Sequence, residues 1–119
     1  MAAPNLKSPT TITGKTIGYA VTTSMAAALS NGAASGKVLK VNSVYCANVD
    51  GVNAADITLQ YWDGTTGYEV AHTITVPADA TQMLVTRDAY LYLEEGHSLR
   101  AQASAASDLE LVISYEEIS

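Results

Sequence analysis

Residues Leu91-Tyr-Leu-Glu-Glu-Gly-His-Ser-Leu-Arg-Ala-Gln-Ala-Ser104 and Asp108-Leu-Glu-Leu-Val-Ile-Ser-Tyr115 are two runs in which apolar and polar side chains alternate. Alternation with a period of two is typical of half-buried β-strands. The linking residues, Ala105-Ala-Ser-Asp108, are too few for a crossover helix, so we predict an antiparallel hairpin that closes the fold. The predicted core side of this hairpin is Leu99, Ala101, Ala103, Leu109, Leu111, Ile113 and Tyr115.

Shorter runs of the same kind occupy the rest of the chain, separated by turn residues such as Asn31-Gly32, Asp50-Gly51 and Asp63-Gly64. Met25-Ala-Ala-Ala-Leu29 has good helix propensity but is too short to propagate as a helix, and we interpret it as a strand. A series of short strands favours a sandwich or a barrel. We predict an all-β fold, a single antiparallel β-sandwich or jelly-roll-like domain of about eight strands. Besides the closing hairpin, strands are predicted at 16–22, 25–30, 37–48, 56–63, 68–76, 81–86 and 90–93.

The N-terminal residues differ in composition from this body. Pro4 and Pro9 lie among few apolar residues, which favours an extended arm that packs weakly on its own domain. We therefore divide the chain into an arm, residues 1–15, and a β-sandwich domain, residues 16–119. The arm is either a frayed terminus or a segment that becomes ordered on a neighbouring subunit.

The clearest internal element is a hairpin around Asp63-Gly-Thr-Thr-Gly67. Its alternation predicts that Trp62 lies on the outer, polar face. If Trp62 is exposed there, it marks a contact surface, as large exposed aromatic side chains commonly do. The alternative is a bulge at the strand end that buries the indole under a loop. The side predicted to face the core is Ile57, Leu59, Tyr61, Tyr68, Val70, His72, Ile74 and Val76.

Charge and composition exclude several classes of function. The chain of 119 residues has twelve acidic and six basic residues, a net charge of -6, which argues against nucleic acid as a partner. Its single cysteine, Cys46, cannot form an intrachain disulfide and is predicted to be a buried or half-buried thiol. The N-terminus lacks a signal-peptide pattern, and no window approaches the roughly 20 apolar residues of a membrane span. We expect a protein made in the cytoplasm with no membrane partner.

No residues form a pattern typical of a reactive site. His72 is predicted on an apolar strand face, and His97 follows Glu94-Glu95 in a turn, where adjacent side chains diverge and make poor metal ligands. The loop Asp50-Gly-Val-Asn-Ala-Ala-Asp56 lacks the alternating carboxylates of a calcium loop. We predict no catalytic, metal or cofactor-binding residues and no enzymatic activity.

Several stretches resemble small virion proteins of tailed bacteriophages, particularly those of cyanobacterial and marine hosts. Tyr92-Leu-Glu-Glu-Gly-His-Ser-Leu-Arg-Ala-Gln-Ala-Ser-Ala-Ala-Ser-Asp-Leu-Glu-Leu-Val-Ile-Ser-Tyr-Glu-Glu-Ile118 is similar to their C-terminal end. Met1-Ala-Ala-Pro4 and Ser8-Pro-Thr-Thr-Ile-Thr-Gly-Lys15 are similar to their start, and Asn48-Val-Asp-Gly-Val-Asn-Ala-Ala-Asp56 with Thr75-Val-Pro-Ala-Asp-Ala80 to their middle. Where the family pattern tends to have Asp after Glu-Glu-Gly, this chain has His97.

The resemblance implies a structural role in the virion, with a capsid decoration or cement protein as the first expectation. The expected partners are the major capsid protein or another virion protein, together with further copies of this chain. A tail, head-to-tail or fibre component is the alternative within this class, and a carbohydrate-binding module that uses Trp62 is an alternative outside it. For partner binding we predict Leu6, Pro9 and Ile12 in the arm and Trp62 on the body.

Overall fold

The computed structural model describes residues 4–119. One single-turn 3-10 helix, Arg87–Ala89, interrupts the series of strands in this part of the chain. No helix among these residues has the length and apolar character needed to cross a membrane. The strands are β1 Ile12–Ala20, β2 Ala26–Ser30, β3 Val38–Asn48, β4 Ala55–Trp62, β5 Gly67–Val76, β6 Thr81–Val85, β7 Leu91–Leu93, β8 Ser98–Ala103 and β9 Leu109–Ile118.

The strands form two antiparallel sheets packed face to face. The first sheet has the order β1-β9-β3-β6, with the short β7 also paired to β3, and the second has the order β2-β8-β4-β5. The pairs are nested: β4 with β5, β3 with β6, β2 with β8, and β1 with β9. This nesting is the arrangement of a jelly roll, so the predicted all-β sandwich of about eight strands is confirmed, with nine strands in the structure.

The core lies between the sheets and consists mainly of aliphatic side chains. Alternating residues of β8 and β9 face it, as the sequence pattern predicts, and Leu99, Leu111 and Ile113 are fully buried. Cys46 is also fully buried, and burial raises the pKa of its thiol to about 11. The predicted strand at Met25–Leu29 is present as β2.

The predicted closing hairpin is wrong. Although β8 and β9 are consecutive, β8 pairs with β2 and β4, whereas β9 pairs with β1 and β3 in the other sheet. The residues between them, with Ser107 at a φ of 66°, cross from one layer to the other. Alternation identifies which side of each strand is buried, and that side is the same whether two strands pair edge to edge or face each other across a core.

The hairpin of β4 and β5 is present, but its predicted core face is only partly correct. Register shifts interrupt the pairing of β4 with β5, and Thr73 adopts a φ of 46°. This bulge reverses the alternation along β5, so that Ala71 is buried and His72 is exposed. Ile57, Leu59 and Val76 are buried as predicted, whereas Tyr68, His72 and Ile74 are exposed.

The first strand begins four residues earlier than predicted. Ile12 pairs with Ile118, and the register with β9 continues without a shift to Ala20 opposite Glu110. Residues 12–15, which we assigned to the arm, are therefore part of the first sheet. Residues 1–3 of the predicted arm lie outside the described residues.

Candidate interaction surfaces

The segment before β1 has its own local structure. The Lys7 backbone N–H donates to Asn5 Oδ1 at 3.0 Å, and the Ser8 N–H donates to the Asn5 carbonyl at 3.0 Å. These bonds form a turn in place of the extended arm predicted for this stretch. The turn presents Leu6, whose side chain is 48% exposed.

The chain is attached to the body immediately after Pro9, which is half-buried. The N–H groups of Thr10 and Thr11 both donate to the Ser119 carbonyl, at 2.6 and 2.9 Å, and the Ser119 N–H donates to the Thr11 carbonyl at 2.9 Å. Ile12 follows as the first residue of β1 and is 56% exposed. Two of the predicted contact residues, Leu6 and Ile12, thus flank an anchor to the last residue of the chain.

Trp62 lies at the end of β4, opposite Ser98 of β8. It is half-buried, and the Arg100 guanidinium lies over its indole, 4.5 Å from the ring centroid. This is a cation–π contact across neighbouring strands, which fixes the indole against the sheet. The sequence left two alternatives for Trp62, exposure and burial under a loop. In the structure, the Trp62 ring is instead partly covered by the Arg100 side chain of the same sheet.

The four predicted contact residues are divided between the two layers of the sandwich. Ile12 belongs to the sheet that contains β9, and Leu6 and Pro9 precede it, whereas Trp62 belongs to the other layer of the sandwich. Trp62 pairs through Ser98 with Ser30, just before the turn into β3, so it lies at the same end of the sandwich as Ile12, which is next to the start of β3.

Two other aromatic clusters were not predicted. Tyr61 Oη and His97 Nδ1 share a hydrogen bond of 2.6 Å, and desolvation, with the charge of Glu94 next, raises the Tyr61 pKa. On the other sheet, the Lys40 ammonium lies 4.4 Å from the ring centroid of Tyr90, a residue that is 45% exposed. These clusters depend on cross-strand register, and alternation within single strands contains no signal for them.

The buried polar side chains stabilise loops. Asn31 Nδ2 donates to the carbonyls of Lys37 and Leu93, each at 2.9 Å. Asn48 Nδ2 donates to the carbonyls of Asn53 and Val76 at 3.0 and 2.9 Å. Within residues 4–119, no buried side-chain nitrogen or oxygen lacks a hydrogen-bond partner. The amide capacity of these asparagines is therefore used internally.

The loop that follows β3 is held by hydrogen bonds to Asp50 and presents an apolar side chain. Asp50 Oδ1 accepts from the N–H of Val52 at 2.8 Å and from that of Asn53 at 3.3 Å, and these bonds lower the Asp50 pKa. Val52 is 84% exposed. It lies beyond the end of β3, whereas Ile12 is next to the start of β3 through Ile118 and Val38, so the two residues lie at opposite ends of the sandwich.

A shallow open cleft of about 140 Å³ lies on the second sheet. In the part of the chain that the structure describes, no three His, Cys, Asp or Glu side chains form a group suited to a metal ion. The cleft combines a carboxylate with hydroxyls and an amide, and its Asp56 Oδ1 already accepts from Thr75 Oγ1 at 2.8 Å. Its lining residues are Asp56, Thr58, Thr73, Gln102, Ala103 and Ser104.

No protein-family model matches the chain. No curated protein matches its sequence. A chain from the solved structure reported as "Bacillus endospore appendages form a novel family of disulfide-linked pili" has the same fold, with a TM-score of 0.52 and 16% sequence identity. The match covers 91% of this chain and 87% of that chain, so the likeness extends over most of both chains. Those pili are disulfide-linked, whereas the single cysteine of this chain, Cys46, is fully buried.

Proposed function

We propose that this chain is a non-enzymatic structural protein of a tailed-bacteriophage virion, and that it decorates or cements the capsid shell. The observation that carries the proposal is the N-terminal contact segment, residues 4–12, which exposes Leu6 and Ile12 beside an anchor at Thr10 and Thr11. Large apolar side chains on a tethered segment suit a contact with another protein, because the body need not rearrange when they dock. The partner is the major capsid protein or another virion protein.

The fold supports a role in assembly. Jelly rolls recur in viral capsid proteins and in lectins, so the architecture is compatible with both the first proposal and a carbohydrate-binding alternative. The pilus subunit of the same fold belongs to an assembled fibre, which adds support for a structural role at the level of architecture. A tail, head-to-tail or fibre component remains the alternative position within the particle.

The use of polar groups also favours a structural protein. Buried Asn31 and Asn48 donate to the backbone carbonyls of Leu93 and Val76, and the Tyr61 hydroxyl is bound to His97. Trp62 is a poorer sugar platform than an open indole, because the Arg100 guanidinium lies over the ring. Hydrogen bonds that are satisfied within the chain in this way stabilise the body.

The test is to purify particles of the phage whose genome encodes this chain and to locate the protein in them. We expect mass spectrometry to detect the chain in many copies per particle. We expect cryo-electron microscopy to place its jelly roll on the outside of the shell. Density of the same shape in the tail would select the alternative position. Particles free of the chain would overturn the proposal.

A further inference from the structure

Edge strands of a sandwich expose unpaired backbone groups, and proteins usually protect such edges with bulges, short strands or prolines. Three of the four edges here have such protection. Strand β2 has five residues and a register shift, and β5 is interrupted by the bulge at Thr73. The edge formed by β6 and β7 consists of strands of five and three residues, separated by the 3-10 turn.

Strand β1 is the fourth edge, and it has none of these features. It has nine residues without a proline, its register with β9 is unbroken, and the sheet orders pair it with β9 alone. A long, regular and unguarded edge is a template for strand addition.

The hydrogen-bonding phase identifies which residues of β1 present free backbone groups. Thr11 and Ser119 exchange both of their backbone hydrogen bonds, and antiparallel pairs alternate between bonded and non-bonded positions. The odd-numbered residues from Thr13 to Tyr19 therefore bond to β9. The even-numbered residues direct their N–H and C=O groups away from β9, and they are Ile12, Gly14, Thr16, Gly18 and Ala20.

The row of outward-facing residues on β1 of one chain is complementary to the same row on a second copy. If two copies of β1 meet antiparallel with Thr16 opposite Thr16, then Gly14 lies opposite Gly18 and Ile12 opposite Ala20 of the other copy. Every pair formed in this way joins two outward-facing residues, so every position can exchange both hydrogen bonds. Threonine opposite threonine is also a favourable cross-strand pair.

The charge distribution also favours a second copy of this chain as the partner. The chain has twelve acidic residues and a net charge of -6, which opposes contact between two copies over most of the surface. Strand β1 has no acidic residue, and its one basic residue, Lys15, is bound to Glu117 of β9 at 3.2 Å. It is therefore a part of the surface where two copies meet with little repulsion.

The two glycines of the outward row are not explained by the fold of one chain. A Cβ atom on Gly14 would meet nothing within 4 Å, and one on Gly18 would touch only the Leu111 carbonyl at 4.0 Å. Neither glycine has a positive φ or lies at a register shift. A glycine inside a regular strand often marks the approach of another backbone, and here it accompanies the open edge.

We propose that β1 of one chain pairs antiparallel with β1 of a second copy around Thr16, which joins the two five-stranded sheets into one continuous sheet. The inference rests on the assembly role proposed above and names the surface and the partner that serve it. It places a two-fold axis at Thr16, so a change at this residue acts on both copies at once.

The test measures association by sedimentation equilibrium on the full chain. We expect a dimer of twice the 12.4 kDa chain mass. Thr16→Lys puts two ammonium groups opposite each other and is expected to weaken the dimer by about tenfold or more. The matched control is Thr81→Lys on β6, an exposed position at the opposite edge of the same sheet, which should leave the dimer unchanged.

Cross-linking of the Thr16→Cys variant is an independent measurement, because it detects the association directly and does not depend on weakening it. Residues opposite each other in a bonded antiparallel pair have Cα atoms about 5.5 Å apart, within reach of a disulfide. Mild oxidation should then cross-link two chains through this cysteine, since Cys46 is fully buried, and Thr81→Cys should not cross-link.

A wild-type chain that stays monomeric up to about 1 mM would overturn the inference. So would a dimer that Thr16→Lys and Thr81→Lys weaken equally, because its interface would lie elsewhere. The particle experiment gives a separate answer: a monomeric chain found on the shell would overturn the β1 pairing alone, and a dimeric chain absent from particles would overturn the proposed function alone.

Discussion

Leu111 and Glu110 are neighbours on β9 in opposite environments. Leu111 is fully buried between the sheets, whereas Glu110 is exposed. We expect Leu111→Ala to lower the free energy of unfolding by about 2 to 5 kcal/mol, because it removes buried apolar atoms and leaves a cavity. Glu110→Ala should change it by about 0.5 kcal/mol or less. Chemical denaturation of both variants provides the measurement, and equal shifts would contradict the register of β9.

Glu117 links three segments through charge. Its carboxylate accepts from Lys37 Nζ at 2.9 Å and from Lys15 Nζ at 3.2 Å, and the Lys37 hydrogen bond is the main cause that lowers the Glu117 pKa. A lowered pKa in the folded state contributes stability above the unfolded-state pKa, and this contribution is lost as pH falls through the folded-state pKa.

We therefore expect Glu117→Gln to lower the free energy of unfolding by about 1 kcal/mol or less at pH 7, since the lysines are partly exposed. The difference from wild type should shrink as pH falls below the ordinary glutamate value of 4.5 and vanish in strong acid. Denaturation curves across this range are the measurement, with Glu110→Gln as the control on the same strand. A deficit that persists at low pH would show that charge pairing is not its cause.

Single-residue environments were predictable where one strand sets them. The burial of Cys46, Leu99 and Leu111 follows from alternation or from an apolar run, and the structure confirms it. The error at His72 and the contact of Arg100 with Trp62 have another origin. They depend on a bulge and on the register of a neighbouring strand, and neither is present in the local pattern.

At the scale of elements, the bulge in β5 requires an unusual backbone conformation at one residue. Thr73 has a φ of 46°, a left-handed conformation that β-branched residues rarely adopt and that asparagine tolerates better. Thr73→Asn should therefore raise the free energy of unfolding by about 1 kcal/mol.

Thr13→Asn is the control for this change, because it makes the same substitution in the regular strand β1, where asparagine is disfavoured. Thermal melts of both variants are the measurement. A loss of stability in Thr73→Asn would contradict the left-handed conformation at Thr73, and stabilisation by Thr13→Asn would show that the effect is not specific to the bulge.

The number and order of the strands were largely predictable, but one pairing was not. Each of the nine strands coincides with an apolar–polar run bounded by turn residues, and β2 was identified despite its helix propensity. The partner of β9 required information about the whole fold. Nested pairing brings β1, the first strand, beside β9, the last, and it separates β8 from β9. A short linker permits either a hairpin or a crossing between layers, so local sequence cannot distinguish them.

At the scale of the whole molecule, the sandwich has two distinct ends. The body measures 48 × 26 × 20 Å along its principal axes. Ile12 lies at the end where β3 begins, and the hydrogen-bonded loop with Val52 lies at the end where β3 stops. Both ends expose an apolar residue. A comparison of variants at the two ends therefore distinguishes a specific contact from non-specific hydrophobic binding.

The final prediction concerns the N-terminal contact segment. Deletion of residues 2–9 removes Leu6 and Pro9 but keeps Thr10 and Thr11, whose N–H groups bind the Ser119 carbonyl. The body should therefore melt close to the wild-type temperature, while binding to particles that lack the chain falls by about tenfold or more. Leu6→Asp should have a similar effect, since it replaces a 48% exposed apolar anchor with a charge.

Val52→Asp is the matched control for Leu6→Asp, because it adds the same charge at an exposed apolar residue of the opposite end. Co-sedimentation of each purified variant with the particles, at equal protein concentration, measures the binding. If the segment makes the contact, Val52→Asp binds as wild type does and Leu6→Asp does not. If the truncated chain folds and binds unchanged, the segment is a loose end, and the face around Trp62 becomes the surface to test by Trp62→Ala.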